Sequence, residues 1–252
     1  MRVINSGWRL ARELHEELRV FWLCNEELNC PFVSLFQPVN EFLITDIHSV
    51  ADPRKLFYQR TARTHLGNEE IRAHRLPGGG LDPEYTATFH GNTYIFTWEW
   101  FYPAQDYHLF RPTKALQERI DEMTARFGSS CVGVHIRRTD NQPAICGSST
   151  EAFLRSMRRE LKDDPNTMFY LATDDLAEEA ALRSAFPDRI LSNEKRCLRR
   201  DSAEGMHDAL LDLYCLANTR KIIGSYFSSF TDIAADMRGI PKVIAGGEDA
   251  QS

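Results

Sequence analysis

This sequence predicts an α/β protein whose second half forms a parallel, Rossmann-like sheet, and three observations carry that reading. From about residue 130 onward, short β-rich apolar runs alternate with helical stretches. Three of the apolar runs end in polar, ligand-capable residues, the arrangement expected at the carboxyl edge of an open sheet. The 252 residues, 42% apolar and 26% charged, suit a folded globular chain and not a disordered one.

In chain order, Val3, Ile4, Trp8, Leu10, Ala11, Leu14 and Leu18 recur at helical spacing and predict a helix over 3–18. A strand follows at Val20–Leu23, a second is predicted at Phe42–Ile47, and a third at Thr93–Thr97, where threonine alternates with apolar and aromatic residues. The stretch Asp52–Glu84 is polar, holds Pro77-Gly78-Gly79-Gly80 near its end, and reads as a loop. The texture changes at 103–112, which marks a domain boundary. A helix opening at Pro112, with Leu116, Ile120 and Met123 on one face, leads into a strand at Val132–Ile136. Beyond it the alternation predicts helix 150–162, strand Met168–Ala172, helix 175–186, strand Arg189–Leu191, helix 203–218, strand Lys221–Gly224, helix 230–237 and strand Val243–Ala245. No internal repeat or low-complexity segment interrupts this order.

A net charge of -6 and a pI near 5.8 argue against a general nucleic-acid binder, whose affinity rests on a basic surface. The sequence contains no apolar run long enough to span a membrane, and residues 1–20 are too charged for a signal peptide, so a cytoplasmic protein is expected. Cys24, Cys30, Cys131, Cys146, Cys197 and Cys215 form no CxxC pair and read as reduced, mostly core thiols.

The chemistry gathers at three predicted strand ends: Arg137-Arg138-Thr139-Asp140, Thr173-Asp174-Asp175 and Ser225-Tyr226-Phe227-Ser228-Ser229. In a parallel sheet all three lie on one edge, and arginine's planar fork suits the paired oxygens of a phosphate. The convergence points to a phosphate-bearing ligand, a nucleotide or nucleotide-sugar. Each segment also has a plainer reading. Arg137-Arg138 fits a solvated turn, and Asp174 and Asp175 fit a helix start, where carboxylates offset the dipole. Ser229-Phe230-Thr231-Asp232 fits a capping box, and the same helix start also suits a phosphate. Glu204, Asp208 and Asp212 recur every fourth residue and read as a solvated acidic face, or as acids meeting a base or sugar. The stripe Met206, Leu210, Leu213, Tyr214 and Ala217 is the expected buried side of that helix. His135, inside an apolar strand, reads first as a hydrogen-bonded core histidine. Neither a P-loop nor a G-x-G-x-x-G motif is present, and no histidine cluster suggests a metal.

The segment Val132-Gly133-Val134-His135-Ile136-Arg137-Arg138-Thr139-Asp140 resembles the H-x-R-R-x-D motif of the α-1,6- and α-1,2-fucosyltransferases and the nodulation fucosyltransferases. Tyr170-Leu171-Ala172-Thr173-Asp174-Asp175 and Leu211-Asp212-Leu213-Tyr214 followed by Phe227-Ser228-Ser229 agree in order and spacing. The resemblance covers about residues 130–235. It implies a GT-B-like fold of two Rossmann-like domains: 1–108, an acceptor-side domain lacking its first strand and the glycine-rich loop after it, and 109–252, a donor-binding domain. It further implies inverting transfer of a sugar, fucose above all, from a GDP-sugar to a saccharide or glycan acceptor, with no metal or other cofactor.

Carried over by residue, the resemblance implies that Arg137 contacts the β-phosphate, that His135 and Asp212 bear on the guanine, and that Ser228 and Ser229 hold the diphosphate. Arg138 and Asp174 complete the donor set, with Arg137 and Asp140 as the catalytic pair. Asp140, Glu151 and Glu204 stand as alternative bases, because Asn141 occupies the place where those enzymes carry a lysine. The rival reading is a sugar-nucleotide-binding protein of the same fold without transferase activity. The cluster Trp98-Glu99-Trp100-Phe101-Tyr102 reads either as core or as a stack for acceptor sugars.

Overall fold

The structure, a computed structural model, describes residues 1–103, 107–139, 142–194 and 201–247. Two compact units divide the chain: Met1–Thr113 with Arg200–Ala203, and Lys114–Arg199 with Glu204–Ser252.

The first unit opens with helix α1 (Arg2–Glu13), strand β1 (Arg19–Leu23), the single turn α2 (Phe32–Leu35) and strand β2 (Leu43–Ile47). Next come α3 (Pro53–Thr61), β3 (Thr64–Leu66), α4 (Asn68–His74), α5 (Pro83–Thr86) and β4 (Thr93–Ile95). Its described strands form two separate parallel pairs, β1 with β2 and β3 with β4. The polar stretch expected as a loop is therefore largely ordered, which corrects the sequence reading. Asp52 and Asp82 each precede a proline and accept a hydrogen bond from a backbone N–H two residues on, 2.9 Å in both cases, so both helix starts carry a cap and a proline in the first turn. Polar composition hid α3 because only Lys55 on it is buried. The glycine turn remains a loop, with Gly79 and Gly80 at φ of 84° and 90°.

The second unit runs α6 (Lys114–Thr124), β5 (Val132–Ile136), α7 (Gln142–Gly147), α8 (Thr150–Asp163), β6 (Phe169–Thr173), α9 (Leu176–Ala185) and β7 (Ile190–Ser192). It ends with α10 (Ala203–Ala217), β8 (Ile222–Gly224), α11 (Ser229–Arg238) and β9 (Lys242–Ile244). The predicted alternation is met within one or two residues at each end, and the short helix α7 is an addition. All five strands are parallel, in the order β7-β6-β5-β8-β9. The direction of winding reverses between β5 and β8, and open sheets bind ligands outside the carboxyl ends of the strands at such a point.

Strand alternation assigns the two faces. Val132, Val134, Ile136, Phe169 and Leu171 pack with Phe153 and Met157 of α8 and Leu182 of α9. Their neighbours point the other way, toward α10 and α11, and two glycines bring those helices close. A Cβ on Gly133 would sit 2.9 Å from Leu216 Cδ2, and a Cβ on Gly224 would sit 2.6 Å from Thr231 Oγ1. Gly224 thus lets the first turn of α11 press against the end of β8.

Helix α10 corrects a second expectation. Asp208 and Asp212 are buried while Glu204 is exposed, so the acidic repeat is not a solvated face. Arg119 of α6 places Nη2 2.8 Å from Asp208 Oδ1, and the Tyr170 hydroxyl donates to Asp212 Oδ1 at 2.6 Å. Covered by α6 and by the sheet, the helix takes both carboxylates inside with partners, as buried charge requires. In the predicted stripe Leu210, Leu213 and Ala217 are buried, whereas Met206 and Tyr214 are only half-buried. Cys24, Cys30, Cys131 and Cys215 are buried free thiols and Cys146 is an exposed one; Cys197 lies outside the described residues. No helix among the described residues is long and apolar enough to cross a membrane.

Candidate functional site

The strand ends at the switch point are tied together by polar contacts. Leaving β5, the Arg137 N–H donates to Ser225 Oγ at 2.9 Å, and that hydroxyl donates in turn to the His135 carbonyl at 3.3 Å, so the ends of β5 and β8 are laced directly. On the other side, Asp174 at the end of β6 uses both carboxylate oxygens. Its Oδ1 accepts the Arg138 N–H at 2.8 Å, and its Oδ2 accepts the Thr139 hydroxyl at 2.7 Å and lies 3.0 Å from Arg137 Nη1. One aspartate therefore shapes the turn after β5 and holds its leading guanidinium. Partial burial pushes the Asp174 carboxyl up, but the Thr139 hydroxyl, the Arg138 N–H and the Arg137 charge together outweigh it and hold the group below its ordinary value.

The pair Asp174-Asp175 thus divides its labour. Asp175 caps α9, accepting from the Ala177 N–H at 2.7 Å, and has the plainer of the two roles considered for it. Asp174 faces the arginine turn instead.

Arg137 and Arg138 also part company. The Arg138 Nε lies 2.6 Å from Glu178 Oε1, which also accepts the Thr150 hydroxyl at 2.6 Å, and the guanidinium carbon stands 5.7 Å from the centre of the Phe153 ring. Arg138 braces β5 against α8 and α9. Neither side chain is a solvated turn residue, since both are about nine-tenths covered, at 12% and 10% exposure.

His135 is buried, with Nδ1 2.8 Å from Thr231 Oγ1 and 3.5 Å from Ser228 Oγ, and its ring stacks on Phe230 at 4.7 Å between centres. The core reading of this histidine holds, and its partners belong to the first turn of α11. Ser228 is the N-cap residue and Ser229 the first helical residue, so the helix begins one place earlier than the capping-box reading expects. The Ser228 side chain makes no cap bond; it turns to His135. Just before it Phe227 adopts φ 51°, a left-handed conformation that costs a non-glycine residue roughly 1–2 kcal/mol, and its side chain is exposed.

Of the residues singled out from sequence, the structure brings His135, Arg137, Arg138, Asp174 and Ser228 into one contiguous network, with Ser229 beside it at the start of α11. Asp212 lies elsewhere, on the buried side of α10 against Tyr170, the second residue of β6. Asp140 lies outside the described residues. Glu151 and Glu204 are exposed in the first turns of α8 and α10. Sequence reasoning gave Ser225, Thr231 and Thr139 no individual role within the segments that hold them, and passed over Glu178. Their signal is weak, because small hydroxyl residues at strand ends and a helix-borne glutamate are common everywhere. A separate hollow of about 340 Å³ beside the Arg119–Asp208 pair is lined by Arg119, Met123, Arg126, Asn193 and Leu211 among others. No group of three His, Cys, Asp or Glu side chains among the described residues is placed to hold a metal ion.

No family model matches the chain, and no curated protein does. Solved structures match over nearly the whole length. NodZ alpha-1,6-fucosyltransferase soaked with GDP-fucose superposes with a TM-score of 0.60 at 19% identity, covering 93% of this chain and 86% of that one. The fucosyltransferase NodZ from Bradyrhizobium gives 0.58 at 16% identity, with coverage of 92% and 86%. POFUT1 in complex with GDP-fucose gives 0.58 at 12% identity, with coverage of 97% and 94%. At such identities the likeness is one of fold, and the conclusion is that this chain has the α/β, parallel-sheet fold of fucosyltransferases.

Proposed function

We propose that the chain is a glycosyltransferase that takes a sugar, fucose in the first instance, from a GDP-sugar and passes it to a saccharide acceptor by inverting displacement. The observation that carries this reading is the place of Arg137 at the end of the central strand β5, its backbone N–H on Ser225 at the end of β8 and its guanidinium 3.0 Å from Asp174 at the end of β6. Two further facts support it. The fold is shared with proteins crystallised with GDP-fucose, and the residues of the arginine turn form one connected network.

In the proposed reaction the acceptor hydroxyl oxygen attacks the anomeric carbon and the bond from that carbon to the β-phosphate oxygen breaks. The electron pair leaves with GDP, and the hydroxyl proton passes to a base. Arg137 and the N–H groups at the start of α11 stabilise the growing diphosphate charge, more strongly in the transition state than in the bound donor. Arg138 and Asp174 act on the donor by fixing the turn that carries Arg137. Ser228 and Ser229 take the diphosphate, and buried His135 holds their turn through Thr231 and Ser228, while Asp212, paired with Tyr170, takes no part in binding the donor. Asp140, Glu151 and Glu204 are the candidate bases. The arginine and the helix start supply the stabilisation that a divalent ion supplies elsewhere, so the reaction runs without metal.

Calorimetric titration with GDP, UDP and GDP-fucose, with and without magnesium, tests the proposal. Binding selective for the guanine nucleotides and indifferent to magnesium is expected. Equal binding of UDP, or none of GDP, overturns it.

A further inference from the structure

Strand β8 leaves the sheet by the same device on both of its sides. Its parallel register with β5 and with β9 fixes which backbone groups would form the next rung of each ladder. Toward β5, the Gly133 N–H meets the Lys221 carbonyl and the Ser225 N–H meets the His135 carbonyl, so the Arg137 N–H would next meet the Ser225 carbonyl. Toward β9, the Ile222 N–H meets the Pro241 carbonyl and the Ala245 N–H meets the Gly224 carbonyl, so the Tyr226 N–H would next meet the Ala245 carbonyl. A serine hydroxyl takes each of these rungs instead. On the first side it is Ser225 Oγ, which accepts the Arg137 N–H. On the second it is Ser148 Oγ, which accepts the Tyr226 N–H at 2.9 Å and donates to the Ala245 carbonyl at 2.6 Å.

Ser148 belongs to none of the three polar strand ends; it lies between α7 and α8 and reaches the sheet from outside it. Its side chain is buried, and its hydroxyl both accepts and donates, as a polar group in that position must. Two hydrogen bonds in series span more than the single bond of about 2.9 Å that a direct rung would make, so the inserted oxygen holds β8 and β9 apart at this level. Beyond it the chain turns off the sheet: Phe227 takes its left-handed conformation, and Ser228 and Ser229 open α11. Gly147 backs the same residue from an exposed position, because a Cβ on it would lie 2.8 Å from Tyr226 Cβ and Cδ1. Tyr226 is therefore held by its backbone on Ser148 and by its side chain on Gly147, two residues before the serine turn.

We propose that Ser148 is a positioning residue for the diphosphate: it fixes Tyr226, and through Tyr226 the turn whose Ser228 and Ser229 take the donor phosphates. This role rests on the reaction proposed above. Phosphate contacts of this kind are sensitive to small displacements of the groups that make them, so a turn released from its rung should bind the phosphates less well while the rest of the donor contacts persist.

The test uses the whole chain with GDP and with guanosine, which lacks the phosphates. Ser148→Ala removes the bridge, and GDP binding measured by calorimetry should weaken roughly fivefold or more, the scale of one lost hydrogen bond, while guanosine affinity from nuclear magnetic resonance titration should stay within about twofold. A merely structural serine would lower the unfolding midpoint and leave the ratio of the two affinities alone, as Gly133→Ala should. Where Ser148→Ala fails to fold, Gly147→Ala decides in its place: it keeps the bridge, presses on Tyr226 and should give the same selective loss. Unchanged GDP affinity, or equal losses for GDP and guanosine, overturns the role of Ser148 and leaves the donor reading standing. A parent protein that does not bind GDP sinks the donor reading and this role with it.

Discussion

The Arg137 guanidinium lies 3.0 Å from the Asp174 carboxylate across the neighbouring strand ends of β5 and β6, and the same carboxylate also binds the Arg138 N–H and the Thr139 hydroxyl. Charge at this sheet edge is therefore presented by a turn that one aspartate assembles. Arg137→Ala should weaken GDP binding by about 2 kcal/mol, roughly thirtyfold in Kd, the scale of a lost charge-assisted contact. Asp174→Asn keeps an acceptor for the turn and leaves Arg137 in place but undirected, so a smaller loss of about fivefold is expected. Calorimetry on both variants checks the order; a larger effect from Asp174→Asn contradicts the assignment of phosphate contact to Arg137.

Acid should loosen the same turn. The folded-state pKa of Asp174 is depressed, so its contribution to stability is complete above the ordinary carboxylate value of about 3.9 and is lost as pH falls through the lower folded-state value. Urea midpoints of the parent and of Asp174→Asn, followed from neutral pH down into the acid range below the ordinary carboxylate value, should differ at the start and draw together as the pH falls. A constant difference across that range counts against the linkage.

Gly224 is the position where the sheet admits the start of α11. A Cβ there meets the Thr231 hydroxyl at 2.6 Å and its methyl group more closely still, and Thr231 is the residue that holds His135. Gly224→Ala should cost about 2 kcal/mol in unfolding free energy through overpacking, and should weaken GDP binding as the serine turn shifts. Gly133→Ala meets flexible Leu216 and the Thr219 hydroxyl at 2.9 Å, away from the serine turn, and serves as the control: destabilised, with GDP affinity retained.

Tyr170 and Asp212 make a buried hydroxyl-carboxylate pair at 2.6 Å. Tyr170→Phe leaves the packing volume and removes the donor from a covered carboxylate, so a loss of about 2 kcal/mol is expected from denaturant midpoints, with an unchanged m-value. A neutral result would mean that other contacts of Asp212 suffice.

Thiol chemistry should single out Cys146 among the five described cysteines. It is exposed, whereas burial pushes the Cys131 and Cys215 thiols up to about 12 and also raises Cys24. Timed alkylation with peptide mass mapping under native conditions should label Cys146 first and these buried three only on unfolding.

Sequence by itself determined the second unit almost completely, because its signals are local: apolar runs of strand length, helix-period patterns between them, and polar residues at the strand ends of β5, β6 and β8. The parallel sheet then follows from the alternation, and the gathering of Arg137, Asp174 and Ser228 on one edge follows from the sheet. Local patterning failed where capping outweighed composition, as at Asp52-Pro53 and Asp82-Pro83, whose helices bury too little to show an apolar stripe. Tertiary structure alone decided which residue of each pair does what. Asp175 caps a helix while Asp174 builds the arginine turn, and Arg138 braces α8 and α9 while Arg137 pairs with Asp174. Asp208 and Asp212, an exposed stripe by pattern, are buried because α6 and Tyr170 arrive from distant parts of the chain with the partners they need. The physical reason is common to all of these cases: a side chain's role is set by its burial and its partners, and partners separated by tens of residues leave no periodic trace in the sequence.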